Sequence, residues 1–586
     1  MARAGESAGR VYVAAGAHWW WAAARVDRPE WRAGAAAAHA ARALRDRDAG
    51  AAPAIAGDPP DGVPPAGWRT GEASGLAAMA RGPAPIAVAP PGQRCDCATP
   101  IAAGRDRIAA VYAVTPFEVG DERAAVRALT LRLRYRDGVV VWLNGVEVAR
   151  RHVAADASPV AFASIRRGTE WETFTIPAAP GLLRAGTNWL AVEVRPGPGG
   201  EAVVFDAELA AGTAARIARG PIVQRVGRTS ATIVVDTDLP AAVAVDYGPT
   251  PALGETAVSA SGEAAVHHRI ELADLPPSSL IYYRVRAGAD TSPVVAFALA
   301  PGPDEPLRVA LYGDARGGDV IHRALLDAML AEAPDLVVST GDLVYRGTDA
   351  GDWQRFFAIA GDLLARVPYY PAVGNHDLGA SGDDDRRIGD LFALWPGPAD
   401  RPPHGHWYAF DVAGVHFVML DSNAYDAPEQ VAWLERDLAA ARTRGVRAII
   451  VATHAGPFSR GAHLGDPIAR DTYVPILAAY GVDLVVSGHD HLYQRGRAGG
   501  VAYVVTGGGG APLYGVRCGP PTGRACPVDD GAERVVSAHH WILLTVYTRH
   551  MTLCARYADG APVEPCVTYR LTAKPAASTS RPRRRR

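Results

Sequence analysis

Lysine is almost absent from this chain of 586 residues, because Lys574 is the only one and arginine carries the remaining positive charge. An excess of charge of one sign is missing as well: Lys+Arg number 60, Asp+Glu number 62, and the formal net charge is −2. A chain balanced in this way has no overall positive field that attracts nucleic acid. We therefore expect no nucleic-acid-binding module, and we expect the basic tail, residues 573–586, to be disordered.

Cysteine is scarce too, with six residues in the whole chain. This number is too low for a disulfide scaffold, and the absence of a C-x-x-C pair excludes the usual zinc-finger spacing. The six cysteines nevertheless fall into close pairs, which permit local disulfides and favour an oxidising location, extracellular or periplasmic. The pairs are Cys95 with Cys97, Cys518 with Cys526 and Cys554 with Cys566.

Long apolar segments are missing from the sequence. No run approaches the ~18 to 20 apolar residues that a membrane-spanning helix needs, so we expect no transmembrane segment. The N-terminal stretch 11–21 is apolar but is interrupted by His18, and no convincing small-residue cleavage site follows it. This stretch is therefore a poor secretory signal peptide.

The chain is long enough for about four domains, and its hydrophobic content of 48% is typical of a folded globular protein. Residues 1–90, rich in Ala, Pro and Gly, give a poorly defined region. Alternating apolar residues from Leu129 to Tyr135 predict a strand, and Asn144-Gly145 between two alternating runs predicts a hairpin. Residues 91–212 are thus expected to form a β-sandwich. It resembles the galactose-binding-like jelly rolls and could contact carbohydrate or a cell surface.

Two further domains are predicted after this sandwich. Residues 216–300 contain short strands separated by turn-rich stretches, and the run Leu275 to Val285 resembles the late strands of a fibronectin type III domain. Strands and amphipathic helices then alternate over residues 305–572, which predicts a layered α/β domain. The predicted fold is multidomain, with all-β N-terminal modules followed by an α/β domain.

Five short polar motifs follow strands of the predicted α/β domain. Each places carboxylates, an amide or imidazoles directly after a buried strand, often behind a Gly that lets the backbone turn sharply. Their side chains can converge at one edge of the sheet, where such a mixture of oxygen and nitrogen donors suits Fe, Zn or Mn. With one Asp as a bridge, the set suits two metal ions. The motifs are Tyr312-Gly-Asp-Ala-Arg316, Thr340-Gly-Asp-Leu-Val-Tyr345, Val373-Gly-Asn-His-Asp377, Val451-Ala-Thr-His454 and Ser487-Gly-His-Asp-His491.

The motifs in this order resemble those of the calcineurin-like metallophosphoesterases, and specifically the purple acid phosphatases, over about residues 305–510. Most metallophosphoesterases carry a ligating His two residues after the first Asp. Here that position is Arg316, which cannot ligate because it stays protonated. Purple acid phosphatases use a Tyr three residues after the second Asp, and Tyr345 occupies that place. The fibronectin-like module is also similar to the N-terminal domain of the plant-type members.

The resemblance implies a four-layer metallophosphatase sandwich that hydrolyses phosphate monoesters by in-line attack of a metal-bound hydroxide. It implies two metal ions, Fe(III) with Fe(II), Zn(II) or Mn(II), and a phenolate ligand favours Fe(III). The first ion would be held by Asp314, Asp342, Tyr345 and His491. The second would be held by Asp342 as the bridge, Asn375, His454 and His489. Two imidazoles would lie beside the substrate, where either could protonate the leaving alkoxide: His376 and His463.

Alternatives remain for several polar residues. Arg316 could bind phosphate, or it could form an ion pair with Asp319 or Asp377. Asp377 and Asp490 are expected to orient imidazoles. The run Gly507 to Gly510 lacks the Lys and Ser of a P-loop, so we favour tight backbone packing over a phosphate-binding role.

Alternatives remain for the activity as well. A phosphodiesterase or a nucleotidase would use the same metal centre, and only the pocket walls would differ. Loops at residues 380–406 and 456–470 would shape that pocket around a small phosphate ester. In a non-enzymatic alternative, the chain is a surface-binding protein of β modules with a vestigial phosphatase domain.

Overall fold

The structure of the protein is a computed structural model. It describes residues 11–26, 67–72, 76–77, 79–88, 97–101, 107–154, 163, 171–197, 203–212, 215–260, 265–288, 290–347, 349–378, 406–519 and 522–571. The chain divides into two compact units, residues 1–215 and residues 216–586. The basic tail, Cys95 and all but the last residue of the loop predicted at 380–406 lie outside the described residues.

The described part of the first unit is a β-sandwich. Its strands are β1 (Val11–Val13), β2 (His18–Val26), β3 (Ala80–Pro83), β4 (Ile86–Val88), β5 (Thr99–Ile101), β6 (Arg107–Val119), β7 (Ala128–Tyr135), β8 (Gly138–Leu143), β9 (Val146–Arg151), β10 (Trp171–Pro177), β11 (Gly186–Arg195) and β12 (Val203–Gly212). One sheet has the order β10-β7-β12-β4-β5 with β1 paired to β12, and the other has the order β3-β2-β6-β11-β8-β9. The hairpin predicted at Asn144-Gly145 is confirmed, since both residues have positive φ between β8 and β9.

The N-terminal residues contribute to both sheets of this sandwich, so the boundary expected at residue 91 differs from the structure. Trp19 and Trp21 on β2 are buried in the core between the sheets, whereas Trp20 packs on the opposite face near Trp189. This alternation is what a strand requires. The prediction missed the segment because β2 continues through alanines, which have a low preference for strands.

The α/β domain occupies most of the second unit. Its elements are β21 (Leu307–Tyr312), α1 (Asp319–Ala331), β22 (Leu336–Ser339), α2 (Ala350–Leu364), β23 (Tyr369–Pro371), β24 (Tyr408–Val412), β25 (Val415–Met419), α3 (Pro428–Arg444), β26 (Ala448–Ala455), α4 (Val474–Ala479), β27 (Leu484–Gly488), β28 (Tyr493–Ala498), β29 (Val501–Thr506), β30 (Ala532–Val536), β31 (Trp541–Val546), β32 (His550–Arg556) and β33 (Val567–Arg570). They form a six-stranded sheet, β23-β22-β21-β31-β32-β33, and a seven-stranded sheet, β24-β25-β26-β27-β29-β28-β30.

The two sheets of this domain share one hydrophobic core, and helices pack on their other faces. Strand β21 shows the arrangement: Val309 and Leu311 join the core between the sheets, while Ala310 and Tyr312 join a cluster with α1 and α2. Helices α3 and α4 pack in the same way against the seven-stranded sheet. Because β21, β22 and β23 run parallel, their C-terminal ends meet at one edge.

The helix ends follow local sequence signals. Asp349 caps α2 by accepting hydrogen bonds from the backbone N–H groups of Gly351 and Asp352. Helix α3 stops at Gly445, whose φ is 73°. Residues 469–479 do not form one regular helix but a π-helical turn, Ala469–Tyr473, followed by α4. Pro475 explains the change, since it has no backbone N–H to continue a regular helix.

A second β module precedes the α/β domain within the same compact unit. Its strands are β13 (Ile217–Gln224), β14 (Ala231–Thr237), β15 (Val243–Gly248), β16 (Glu255–Val258), β17 (His267–Leu272), β18 (Leu280–Ala287), β19 (Asp290–Thr291) and β20 (Val295–Ala298). They form sheets of the order β13-β14-β17 and β16-β15-β18-β19, with β20 on β18. The resemblance of this module to a fibronectin type III domain stays a prediction.

This β module is joined firmly to the α/β domain. The Tyr283 hydroxyl donates to the Ala365 carbonyl at 2.7 Å, and the Gln224 side chain donates to the Tyr369 carbonyl at 3.1 Å. Ile222 and Val234 belong to the hydrophobic cluster that holds α1 and α2. The module thus supports the sheet side that carries β21, β22 and β23.

Two disulfides are present in the α/β domain, Cys518–Cys526 and Cys554–Cys566, as the spacing of these cysteines permits. Disulfides indicate an oxidising compartment. Within the described residues, no helix combines the length and the hydropathy that crossing a bilayer requires.

Candidate metal centre

The predicted ligands lie at the ends of strands, where the backbone adopts an unusual conformation. Asp314 after β21, Asp342 after β22 and His489 after β27 have φ values of 60°, 53° and 66°. Residues other than Gly rarely occupy this left-handed region, and each instance costs of order 1 to 3 kcal/mol. Backbone strain of this kind concentrates at functional sites, and here it falls on three predicted ligands.

Donor atoms of three other predicted ligands lie close to Nε2 of His454. His454 Nε2 lies 3.1 Å from Asn375 Oδ1, 3.1 Å from His489 Nδ1 and 3.4 Å from Asp342 Oδ1. Atoms that bind one cation at roughly 2.0 to 2.2 Å, at tetrahedral or octahedral angles, are roughly 3.0 to 3.6 Å apart. The three distances from His454 Nε2 therefore fit ligands of a single metal ion, and these residues are the four expected for the second ion.

The protonation of His454 supports the same conclusion. Its Nδ1 lies 2.9 Å from the Thr340 carbonyl and must donate to it, so Nε2 of the neutral ring carries a lone pair. That lone pair faces oxygen atoms of Asp342 and Asn375, which also carry lone pairs. Burial lowers the pKa of His454, but the carboxylates of Asp342, Asp314 and Asp377 outweigh it and raise this pKa. The negative electrostatic potential of these carboxylates, which favours a proton at Nε2, also favours a metal cation there.

His489 is suited to ligation for a different reason. Burial, and then the neighbouring His454 and His463, lower the pKa of His489 to about 3. The imidazole is therefore neutral at ordinary pH, which is the form that binds metal.

A second group of donors consists of Asp314, which follows β21, and His491, which lies between β27 and β28. His491 Nε2 lies 3.4 Å from Asp314 Oδ1, and its Nδ1 lies 2.6 Å from the Pro512 carbonyl. Asp314 is fully buried, and its Oδ2 accepts the backbone N–H of His489 at 3.0 Å. No hydrogen bond to Asp314 Oδ1 is found within the described residues. A buried carboxylate oxygen without a donor is costly unless a cation lies beside it.

The two groups meet at the carboxylates. Ligand atoms of Asp314, Asp342 and His454 all lie within 4.8 Å of one another. These three residues therefore belong to one cluster, and the bridging role of Asp342 stays a prediction.

Tyr345 lies at the margin of this cluster rather than inside it. Its side chain is 50% exposed, and its ring is 5.4 Å from the ring of His376. The Arg316 guanidinium lies 5.6 Å above the same ring. The structure therefore places Tyr345 next to the predicted site, and its ligation stays a prediction.

Arg316 makes neither of the ion pairs that were considered. Its Nε donates to Asp342 Oδ2 at 3.0 Å, and its Nη2 is 3.5 Å from His491 Nε2. Asp319 instead lies 3.7 Å from Arg355. Arg316 is therefore turned into the cluster, where it neutralises part of the negative charge of the buried carboxylates.

Asp377 and Asp490 hold the backbone rather than imidazoles, which corrects the expectation for both. Asp377 accepts hydrogen bonds from the backbone N–H groups of Asp342, Leu343, Val344 and Gly374. Asp490 accepts the backbone N–H of His463 at 3.0 Å. The Nδ1 atoms of His376, His454 and His491 face backbone carbonyl oxygens instead. The carboxylates of Asp377 and Asp490 therefore remain available to bind backbone N–H groups of the turns.

The two predicted substrate-side histidines flank the cluster. His376 donates its backbone N–H to Asp342 Oδ1 at 2.9 Å, and its Nδ1 lies 2.8 Å from the Tyr345 carbonyl. The His463 ring stacks on the His489 ring with centroids 3.8 Å apart. The loop predicted at 456–470 lines a cavity of about 230 Å³ beside His463 and His489. Both histidines are thus close to the predicted metal ligands.

The glycine run after β29 packs tightly, as we favoured. A Cβ on Gly507 would meet the Asp490 carbonyl oxygen at 2.3 Å, and one on Gly509 would meet the Gly313 carbonyl oxygen at 2.3 Å. The run lets the backbone pass directly beneath the turn that carries Asp314.

One residue of the site was missed by the sequence reasoning. Tyr514 stacks on the ring of His491 at 4.0 Å, and its edge faces the ring of His463 at 5.8 Å. It lies in an irregular loop without a motif, so no local pattern pointed to it.

Comparison with known proteins agrees with this geometry. The family described as calcineurin-like phosphoesterase matches residues 307–493, which contain every predicted ligand. Residues 307–493 are a calcineurin-like phosphoesterase domain. The matched family is the one that the order of the motifs predicted. The predicted succession of an all-β N-terminal region and a metallophosphatase domain is confirmed.

The curated relatives of this chain include several purple acid phosphatases. Purple acid phosphatase 21 of Arabidopsis thaliana is 28% identical over 313 residues, which are 51% of this chain and 67% of that protein. Purple acid phosphatase 22 of the same plant is 28% identical over 268 residues, which are 43% of this chain and 60% of that protein. An uncharacterized protein of Mycobacterium tuberculosis is 27% identical over 328 residues, covering 48% of this chain and 58% of its own length.

A solved structure shares the fold. The purple acid phosphatase PPD1 from yellow lupin seeds aligns with a TM-score of 0.54 and 16% identity, covering 78% of this chain and 93% of that chain. The predicted resemblance to purple acid phosphatases is confirmed by these relatives.

Proposed function

We propose that the chain is a dinuclear metal phosphoesterase that hydrolyses phosphate monoesters. The observation that carries the proposal is the proximity of the Asp342 carboxylate to both His454 and Asp314. On one side its Oδ1 is 3.4 Å from His454 Nε2, which also adjoins Asn375 and His489. On the other side Asp314 adjoins His491 at 3.4 Å. Two metal ions that share the Asp342 carboxylate would account for both sets of donors.

The charges support the proposal over a vestigial domain. Asp314 and Asp342 are almost completely buried, and Arg316 is the guanidinium that pairs with Asp342. Two adjacent buried carboxylates are unfavourable unless cations neutralise them. A protein that only binds a surface through its β modules has no use for such an arrangement.

Bound metal ions would supply activation of the water nucleophile and neutralisation of the phosphoryl oxygens. Side chains of the protein would hold the ligands in place, position the ester and protonate the leaving group. Asp377 fixes the turn after β22 through the backbone N–H groups of Asp342, Leu343 and Val344, and Arg316 orients the shared carboxylate. His376 and His463 lie on the substrate side, where His463 would protonate the leaving alkoxide and His376 would position the ester.

The substrate class follows from the relatives, which are named acid phosphatases. A small phosphate monoester is therefore the proposed substrate, and a diester is the alternative that the same donors could serve. We also propose an extracellular or periplasmic location, because the domain contains two disulfides.

The activity can be tested by removing and restoring metals. Protein treated with a strong chelator should lose hydrolysis of 4-nitrophenyl phosphate, and Fe, Zn or Mn should restore it in combinations that give about two ions per chain. A parallel series with bis(4-nitrophenyl) phosphate and a nucleoside monophosphate distinguishes the ester classes. Full activity without metal, or no activity after metal loading on any ester, would contradict the proposal.

The identity of the first ion can be tested through Tyr345. We propose Fe(III) with Fe(II), Zn(II) or Mn(II), as the resemblance implies. A phenolate bound to Fe(III) absorbs visible light, so the loaded protein should be coloured and Tyr345→Phe should lose the colour. Tyr480→Phe, on the end of α4, is the matched control and should keep it. Colour that survives in Tyr345→Phe would show that Tyr345 is not a ligand, which its half-exposed position would then explain.

A further inference from the structure

Four aromatic rings form a continuous row beside the proposed metal centre. The row runs from His491 to Tyr514, from Tyr514 to His463 and from His463 to His489. The first and last rings belong to predicted ligands of different ions. Tyr514 and His463 therefore connect the two halves of the centre through side-chain contacts.

The contact of Tyr514 with His491 is a flat stack. The ring centroids are 4.0 Å apart and the ring planes differ by 14°. His491 is already held at Nδ1 by the Pro512 carbonyl at 2.6 Å, and its Nε2 faces Asp314. The ring can turn only about its Cβ–Cγ bond, and such a turn would break both nitrogen contacts. The flat face of Tyr514 packs along one side of the ring and opposes the same turn.

The loop of residues 511–519, which we call the Tyr514 loop, is itself anchored at both ends. Ala511 donates its N–H to the Asp314 carbonyl at 2.8 Å, and Tyr514 donates its N–H to the His491 carbonyl at 3.0 Å. Farther along, Arg517 donates to the Arg460 carbonyl at 2.7 Å, and Cys518 is bound to Cys526. The Tyr514 ring is thus placed in part by a backbone hydrogen bond to His491, the residue on which it stacks.

We propose that Tyr514 is a positioning residue that sets the orientation of His491 and limits the movement of His463. The inference rests on the proposed function, because it assigns His491 to a metal ion. A group that orients a metal-binding imidazole typically contributes 10- to 100-fold to metal affinity or activity. The contribution of Tyr514 comes from the face of its ring, so its hydroxyl is not required.

The chain offers a matched control for this contact. Tyr547 stacks on His550 with centroids 4.5 Å apart and planes 17° apart. It follows β31, whose residue Val546 pairs with Leu307 at the start of β21. Tyr547 therefore lies at the edge of the sheet opposite to the metal centre. It provides the same kind of ring contact without a predicted ligand.

The test measures metal affinity by competition with a chelator, together with kcat and KM on a small monoester. Tyr514→Ala should weaken the affinity for one of the two ions by about 10- to 100-fold and lower kcat with little change in KM. Tyr514→Leu, which keeps the volume without a flat ring face, should behave like Tyr514→Ala and guards against loss of folding. Tyr514→Phe and Tyr547→Ala should match the wild type in metal affinity.

The outcomes distinguish a failure of the role of Tyr514 from a failure of the proposed function. Unchanged metal affinity in Tyr514→Leu, with the wild type loaded and active, overturns the role of Tyr514 and leaves the proposed function intact. A raised KM in Tyr514→Phe at unchanged metal affinity also overturns it, because the hydroxyl would then contact the substrate. A wild type that binds no metal overturns the proposed function and this inference with it.

Discussion

Asp342→Asn is expected to lose turnover of phosphate monoesters by about 10³-fold or more and to lose bound metal. The substitution keeps the shape of the side chain and the acceptor for the His376 N–H, but it removes the charge that both donor sets share. Metal ions supply several kcal/mol of stabilisation to the developing charge in such reactions, and that contribution depends on their retention. Elemental analysis and kcat/KM on 4-nitrophenyl phosphate check the prediction.

The control for Asp342→Asn is Asp319→Asn, an acid at the start of α1 whose contact with Arg355 at 3.7 Å is largely exposed. It should retain metal and activity, because exposed ion pairs contribute little. Arg316 loses its partner in Asp342→Asn, so thermal melting of both variants separates a folding defect from loss of the centre. Wild-type metal content in folded Asp342→Asn would show that Asp342 is not the bridge.

His463→Ala is expected to lower kcat by about 10²-fold or more on esters with a poor leaving group. His463 stacks on His489, and its backbone is held by Asp490, so its ring is placed beside the centre without being one of its donors. A general acid matters most when the leaving alkoxide is basic. The loss should therefore be much smaller on 4-nitrophenyl phosphate than on an alkyl phosphate.

The comparison for His463→Ala is His376→Ala on the same pair of esters. His376 Nδ1 faces the Tyr345 carbonyl, which suits a residue that positions the substrate, so its loss should be similar on both esters. Both variants are assayed at saturating metal, because His463 stacks on His489 and its removal is expected to weaken metal binding as well. If His463→Ala lowers kcat equally on the alkyl and aryl esters, His463 is not the proton donor. If only His376→Ala lowers kcat more on the alkyl ester than on the aryl ester, His376 is the proton donor.

Much of the phosphoesterase domain could be predicted from the sequence because its signals are local. Strands such as Leu307–Tyr312 are continuous apolar runs, and each is followed directly by a polar motif that the parallel topology brings to one edge. The convergence of Asp342, Asn375, His454 and His489 also requires the packing of two sheets, because β22 and β23 belong to the six-stranded sheet and β26 and β27 to the seven-stranded sheet; the single sheet edge expected from the sequence was wrong.

The remaining features depend on contacts between residues distant in sequence, which no local pattern reveals. Strand β2 was missed because its alanines gave a weak signal, although its tryptophans alternate as a strand requires. Arg316 faces Asp342, and Asp377 binds backbone N–H groups, because the turns after β21, β22 and β23 lie side by side. Tyr514 belongs to the site only because its loop crosses back over His491.

Crystals soaked with Mn or Zn and measured at the absorption edge of the metal provide the most direct test of the central claim. The account predicts two anomalous peaks about 3.5 to 4 Å apart, on either side of the Asp342 carboxylate. One peak should lie within bonding distance of His454 and His489, and the other within bonding distance of Asp314 and His491. A single peak, or peaks away from these side chains, would contradict the account.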